Sequence, residues 1–303
     1  MRKRVDSPLD RADDFVGPFP SGAPANFADQ VARLGHESVF LGGVGDDDFG
    51  ECLLRRFERD GVDARYMVRV EGLATGVAFV TYFSDGGRRF LFHIGNAAAG
   101  QLPEPTAEMF AAADWLHICG STLSASEAMR EACYKACELA TAAGAKVSFD
   151  PNLRPELLGG EEALRHICAP VIGTASLLLP SSDEAQLLTG VSGAEAACEA
   201  LVEGGVEVVA LKQGSEGCKI FTASERVAVP AFEVEVVDPT GAGDCFDAAF
   251  VVGLTEGMSL EDTGKLANAC GGLGATVQGP MEGCAWRAEA FEFAGLADEG
   301  MGD

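Results

Sequence analysis

The sequence predicts an α/β domain with a mostly parallel sheet covered by helices on both faces. Three observations lead there. Short apolar strands alternate with helical stretches along most of the 303 residues, which is the pattern of β-α-β units. One segment, 65–94, breaks that rhythm with Val, Phe, Tyr and Thr and no helical period, and reads as two or three antiparallel strands joined by hairpins. Apolar residues make up 47% and charged ones 23%, the balance of a folded globular chain. A chain of this length buries roughly 75% of its unfolded surface and needs neither disulfide nor metal to fold.

Each element follows from local pattern. Residues 24–34 carry Phe27, Val31 and Leu34 at helical spacing, and Gly35 stops the helix. A short strand is expected at 38–41 and an amphipathic helix at 49–57, closed by Gly61. The β-rich segment turns at Glu71-Gly72 and at Asp85-Gly86-Gly87, and such an excursion from an α/β domain is a candidate lid. Beyond it come strands at 115–118, 146–149, 176–179 and 206–211, with a helix at 127–143. Residues 232–237 read as a strand and 245–257 as a helix.

Charge excludes several functions. The chain has 22 Lys+Arg against 47 Asp+Glu, a formal net charge of −25. Coating nucleic acid requires clustered basic residues, and so does attachment to an anionic membrane surface. No apolar run approaches the ~20 residues that span a bilayer. Met1-Arg2-Lys3-Arg4 is not followed by the apolar core of a signal peptide, so a cytoplasmic protein is expected. Ten cysteines form no C-x-x-C pair and four histidines are scattered. The cysteines therefore read as small buried hydrophobes rather than ligands.

The strongest chemical signal is Asp238-Pro239-Thr240-Gly241-Ala242-Gly243-Asp244, between a strand and a helix. Small residues leave backbone N–H groups open at a helix N-terminus, which attracts anions. It is neither a Walker A loop nor a dinucleotide fingerprint, since Phe246 stands where the third glycine would be. A carboxylate at Asp244 opposes simple phosphate binding. It fits a base that takes a proton from a hydroxyl attacking phosphorus, or a helix cap.

Residues 238–246 closely resemble the C-terminal signature of the ribokinase-like, or PfkB-type, carbohydrate kinases. The resemblance covers nearly the full length. Ser21-Gly22-Ala23-Pro24-Ala25-Asn26 looks like that family's sugar-binding Gly-Gly-x-x-x-Asn motif, with Ser21 in place of a glycine, and Gly35 and Gly43-Val44-Gly45-Asp46 continue it. The resemblance implies a ribokinase-like three-layer α/β/α fold, in a single domain of residues 1–303 with a β-lid at about 9–20 and 63–95. It implies Asp244 as catalytic base and Gly241, Ala242 and Gly243 as the anion hole. Gly22 and Asn26 would bind sugar hydroxyls. Glu184, in Ser181-Ser182-Asp183-Glu184, matches the acid that positions Mg²⁺ through water, although Ser181 replaces the usual Asn. Lys212, Gly214 and Gly217 resemble the nucleotide loop, and Asn268 a position near adenine. Asp238 and Thr240 sit where many relatives bind a monovalent cation such as K⁺.

Residues 148–155 look like the Asp-x-Asn-x-Arg stretch of the fructokinase and 2-keto-3-deoxygluconate kinase branch, with Arg154 as a carboxylate or hydroxyl ligand. Residues 17–24 and 92–98 look most like ketohexose (tagatose) kinases. His93 and Asn96 then reach the sugar from the end of the lid, and Arg88 and Arg89 help close it. The implied activity is ATP-dependent phosphorylation of a primary hydroxyl of a tagatose- or fructose-like ketohexose, with ATP and Mg²⁺, in a homodimer formed through the lid. A 2-keto-3-deoxygluconate kinase and a non-catalytic sugar or nucleotide sensor are the rival readings. Cys245, beside Asp244 at a helix N-terminus, is where a thiol pKa tends to fall. One departure stands out. Relatives begin with an additional central strand, and the polar residues 2–14 cannot supply it. The expectation is a fold short of its first strand, or a start site internal to a longer reading frame.

Overall fold

The computed structural model describes residues 1, 5–85, 87–153 and 160–298. The chain opens with α1 (Ala23–Arg33), β1 (Val39–Gly45), α2 (Asp48–Asp60) and β2 (Asp63–Val70). A hairpin of β3 (Val77–Tyr82) and β4 (Arg88–His93) follows. Then come β5 (Trp115–Cys119), α3 (Gly120–Leu123), α4 (Glu127–Ala143), β6 (Lys146–Asp150), α5 (Glu161–Ile172) and β7 (Ala175–Leu178). The last part holds α6 (Ser182–Thr189), α7 (Ala194–Glu203), β8 (Val208–Lys212), β9 (Cys218–Phe221), β10 (Arg226–Val229), α8 (Ala242–Thr255), α9 (Leu260–Gly274) and α10 (Arg287–Ala294).

Six strands form the main sheet in the order β10-β9-β8-β7-β6-β5. Strands β5 to β8 run parallel, and β9 and β10 add antiparallel pairs at one edge. Period-2 alternation sends neighbouring residues to opposite cores. Leu177, Leu179, Ala210 and Ile220 pack with α1, α8, α9 and α10. Leu178, Val209, Leu211 and Phe221 pack with α4 to α7. Both faces are thus covered, as the apolar strands require. Helix α8 is buried from Asp244 to Gly253, which is why its sequence is apolar nearly all round.

Three local expectations are corrected. Strand β2 pairs with β1 in parallel, Leu41 opposite Tyr66 and Val44 opposite Arg69, rather than joining an antiparallel lid. Helix α2 carries the chain back, so β1-α2-β2 is itself a β-α-β unit, a direction that composition cannot reveal. Within residues 65–94, antiparallel pairing is confined to β3 and β4, from Val77 opposite His93 to Tyr82 opposite Arg88. Residues 232–237 form no strand; the Val237 and Asp238 amides both donate to the Ala275 carbonyl, at 2.8 and 3.0 Å. The expected strand at 38–41 extends through Gly45.

Strands β1 and β2 form a sheet of their own, so β1 and β5 each have one edge without a ladder partner among the described residues. Leu41 and Leu116 meet over the small core of Phe110, Ala136, Ala140 and Ala145. No helix among the described residues is long and apolar enough to cross a membrane.

A buried charge network braces the site from behind. Arg56, 3% exposed at its side chain, pairs with Asp29 at 3.0 Å and Asp60 at 2.6 Å and donates to the Met281 carbonyl. Arg33 pairs with Asp60 at 3.0 Å and donates to the Cys284 carbonyl. Gln30 exchanges two hydrogen bonds with the Ala285 backbone, each 2.9 Å. Together these tie residues 281–285 to α1 and α2.

Candidate active site

The loop before α8 is pinned at both ends. The buried Asp238 carboxylate accepts from the Thr240 amide and from the Gly279 amide, both at 3.0 Å. Gly241 then caps α8 with φ 89°, and a Cβ there would lie 2.2 Å from the Pro280 carbonyl oxygen. Only glycine fits both that backbone and that approach. The Gly241 and Gly243 amides donate to no protein acceptor among the described residues. They form the positive end of a helix dipole, ready for an anion.

Asp244 lies in the first turn of α8, 9% exposed. Its Oδ2 accepts a 2.7 Å hydrogen bond from Nδ2 of Asn26 on α1. Asn26 is buried and its Oδ1 has no hydrogen-bond partner among the described residues. Gly22, at the start of α1, gives its carbonyl to the Asn26 amide at 2.8 Å, so it fixes the first turn that carries Asn26.

One turn beyond Asp244, Asp247 is fully buried. Lys212, at the end of β8, places its Nζ 3.0 Å from both Asp247 oxygens and 3.0 Å from Oδ1 of Asp150 at the end of β6. Oxygens of Asp150, Asp244 and Asp247 lie within 4.8 Å of one another. The ammonium is held by two of these acids, Asp150 and Asp247. Burial opposes its charge, but Asp150, Asp247 and Glu184 hold the Lys212 pKa well above the ordinary lysine range. Burial pushes the Asp150 and Asp247 carboxyls up, and Lys212 opposes that. With both Asp247 oxygens on the ammonium, the geometry is that of an ionised carboxylate. Sequence reasoning missed Asp247. The signal was there: an acid one turn past Asp244 in a helix that is otherwise apolar.

Glu184 stands in a capping box at the start of α6. Its Oε2 accepts from the Ser181 amide at 2.8 Å and hydroxyl at 2.7 Å, and its Oε1 from the Leu153 amide at 2.8 Å. A cavity of about 370 Å³ opens beside it, lined by Ser181, Ser182, Asp183, Gln213 and Glu216. Lys212 also lines it, but its ammonium is committed to the aspartates. Gly214 and Gly217 bracket the turn between β8 and β9, and a Cβ on Gly217 would lie 2.1 Å from the Val229 carbonyl. Asn268 donates to the Val229 and Pro230 carbonyls at 3.1 and 3.0 Å, closing the end of β10.

The hairpin meets the anion loop through Arg88, whose Nη1 donates to Thr240 Oγ1 at 3.1 Å. The pleat puts Arg88, Phe90 and Phe92 on one face and Arg89, Leu91 and His93 on the other. Arg89 therefore faces away from Thr240, on the side where Phe15 packs against Phe79. His93 is exposed, edge-on to Phe79 with ring centroids 6.0 Å apart, and Asn96 is exposed just beyond it. Arg154 lies outside the described residues. Cys245 is fully buried, its Sγ 3.6 Å from that of Cys284, and all ten cysteines are free thiols.

Known proteins resemble this chain over most of its length. The family model described as pfkB family carbohydrate kinase matches residues 14–287. Fructokinase-1 of Oryza sativa subsp. japonica is 37% identical over 273 residues, 86% of this chain and 84% of that protein. A provisionally named ribokinase II from E. coli, solved in complex with ATP and Mg²⁺, superposes with a TM-score of 0.91 at 39% identity, covering 96% of this chain and 94% of that one. A fructokinase from Vibrio cholerae O395, solved with fructose, ADP and potassium ion as a double mutant, gives a TM-score of 0.80 at 29% identity and 91% coverage of both chains. The chain belongs to the pfkB family of carbohydrate kinases. It is a sugar kinase, which moves a phosphoryl group onto a sugar hydroxyl.

Proposed function

We propose that this kinase phosphorylates a primary hydroxyl of a fructose- or tagatose-like ketohexose with ATP. The Asn26–Asp244 contact carries the reading. One side-chain amide holds the acid and keeps a buried acceptor without a donor. Such an orphan costs about 1–3 kcal/mol. A sugar hydroxyl satisfies it and brings the neighbouring hydroxyl to Asp244. The fructokinase relatives, and the fructose held in the Vibrio structure, support a ketose.

In this reading Asp244 takes the proton of the attacking hydroxyl. The hydroxyl oxygen bonds to the γ-phosphorus, the bond to the β,γ-bridging oxygen breaks, and ADP leaves. The Gly241 and Gly243 amides meet the charge that develops on the transferring group, while the Ala242 amide donates to the Pro239 carbonyl at 3.4 Å and shapes the loop. The β3–β4 hairpin closes over the sugar and excludes water, so that ATP is not hydrolysed. Arg88, on the face that meets Thr240, takes the anion contact in place of Arg89. Gly22 shapes the sugar side and Asn96 lies at its rim, while His93 stands on the outer face of the hairpin with Arg89 and Phe79. ATP lies along the 370 Å³ cavity, against the turn of Gly214 and Gly217 and the end of α9 at Asn268.

Mg²⁺, when bound, would neutralise part of the charge on the ATP phosphates. Glu184, whose oxygens accept from the Leu153 amide and from Ser181, would hold it through water. Asp238 suits a monovalent cation such as K⁺. It is a buried carboxylate with amide donors and no Lys or Arg partner among the described residues. The exposed Phe15, Phe79 and Leu91 on the outer face of the hairpin support a homodimer through the lid. Ten free thiols support a cytoplasmic setting.

ADP release from ATP and Mg²⁺ with fructose, tagatose, 2-keto-3-deoxygluconate or no sugar tests the reading. Release that depends on fructose or tagatose is expected. Release confined to the acid sugar would move the substrate to the carboxylated class that Arg154 suits. Tight ATP binding with no transfer to any sugar would overturn the kinase chemistry in favour of a sensor.

A further inference from the structure

Lys212 sits in the nucleotide-loop segment, yet its ammonium points into the protein. It bridges Asp150 from β6 and Asp247 from α8, with three contacts of 3.0 Å. All three side chains are at least four-fifths buried, and the pair they make lies directly under Asp244. A structural ion pair has no need to share a 4.8 Å sphere with a reacting carboxylate.

We infer that Asp150, Lys212 and Asp247 form a positioning unit that sets the basicity of Asp244, with Lys212 serving as a fixed internal countercation rather than as a ligand of the nucleotide. The inference rests on the assignment of Asp244 as the base. Two acids and one ammonium leave a net negative charge beside Asp244, and a like charge close by makes a carboxylate hold its proton more tightly. Without the ammonium, two buried unpaired carboxylates would compete with Asp244 for the proton. A Cβ at Gly243 would lie 3.8 Å from Lys212 Nζ, so the ammonium lies close to the first turn of the anion hole.

The groups that face Asp244 come from several elements. Asp247 is on α8 itself, Asp150 ends β6, Lys212 ends β8 and Cys119 ends β5. From α1 comes only the neutral Asn26 amide. Burial holds the Cys119 thiol protonated. Glu184 and His117 act on Lys212; burial, and Lys212 itself, keep His117 neutral, with its pKa lowered to about 3. Among the described residues, the charged groups beside Asp244 are Asp150 and Asp247, with Lys212 bridging them.

Asp247→Asn removes one negative charge while Lys212 keeps Asp150, so the fold retains its pair. The acid limb of the kcat/KM pH profile then moves down by about one pH unit. The KM for ATP stays near that of the wild type while kcat falls. Asp150→Asn gives the same shift. Lys212→Met, checked for folding by thermal melting, also leaves the KM for ATP near wild type. The titration of Asp244 is read independently by ¹³C NMR of labelled aspartate without substrate, its signal assigned by loss in Asp244→Asn. A lowered Asp244 midpoint in Asp247→Asn is expected even if no sugar in the panel proves to be a substrate. An unmoved midpoint would overturn the inference. So would a large rise in the KM for ATP in Lys212→Met with an unmoved acid limb, which would make Lys212 a nucleotide ligand.

Discussion

Arg88 on the lid hairpin donates to Thr240 in the loop before α8 at 3.1 Å. That bond joins a mobile element of the proposed cycle to the residue next to the anion hole. Arg88→Ala should lower kcat by about 10²-fold, the loss typical of one charge-stabilising donor. Arg89→Ala should leave kcat near wild type, because the pleat turns it to the opposite face. Equal losses in both variants would show that the hairpin arginines act only through general charge.

Potassium dependence tests Asp238. Replacing Na⁺ by K⁺ should raise kcat of the wild type and leave Asp238→Ala unchanged. The variant also strands the Thr240 and Gly279 amides, at about 1–3 kcal/mol for each buried orphan. Equal K⁺ stimulation in both proteins would remove Asp238 from any cation site.

The Arg56 network should be a large term in stability. Arg56→Met leaves Asp29 with only the 3.7 Å contact to Arg33, while Asp60 keeps Arg33 and Arg59, and breaking this buried pair should cost about 3–5 kcal/mol by urea unfolding. Because residues 281–285 carry the Pro280 contact with Gly241 toward α1, kcat should fall before the fold is lost. A stability change near zero would contradict the bracing role.

Asp29 gives the network a pH signature. Burial raises its pKa to about 6, against the opposing Arg56. Asp60 is held below the usual range by Arg59, Asp29, Arg33 and Arg56, although burial opposes them. Between about pH 4 and 6 the folded state binds the Asp29 proton and the unfolded chain has released it, so this group's contribution falls as pH rises. Asp29→Asn has no such proton. The Tm of Asp29→Asn relative to wild type should therefore climb from pH 4 to pH 6, and a constant difference across that range would sink the assignment.

Much of this was legible in the sequence, and the parts that were not have physical reasons. The alternation of strands and helices gave the layered sheet, and 238–244 gave the helix N-terminus with Asp244. The direction of β2 was hidden because parallel and antiparallel strands share one composition. The segment 232–237 was read as a strand because its apolar residues alternate, yet its last amides bond Ala275 rather than a ladder. Lys212 was read as a nucleotide residue from its loop. Its partners, Asp150 and Asp247, are 62 and 35 residues away in the chain, and only the fold brings them together. The choice between Arg88 and Arg89 needed the pleat register, which adjacent arginines cannot reveal.

The most direct test of the account is the rate of phosphoryl transfer from ATP to fructose or tagatose by wild type and Asp244→Asn, with both proteins shown to be folded. Asparagine keeps the shape and the contact with Asn26 but cannot take the hydroxyl proton. The account predicts a fall in kcat of about 10²–10⁴-fold with KM values little changed. Equal kcat in the two proteins would contradict it.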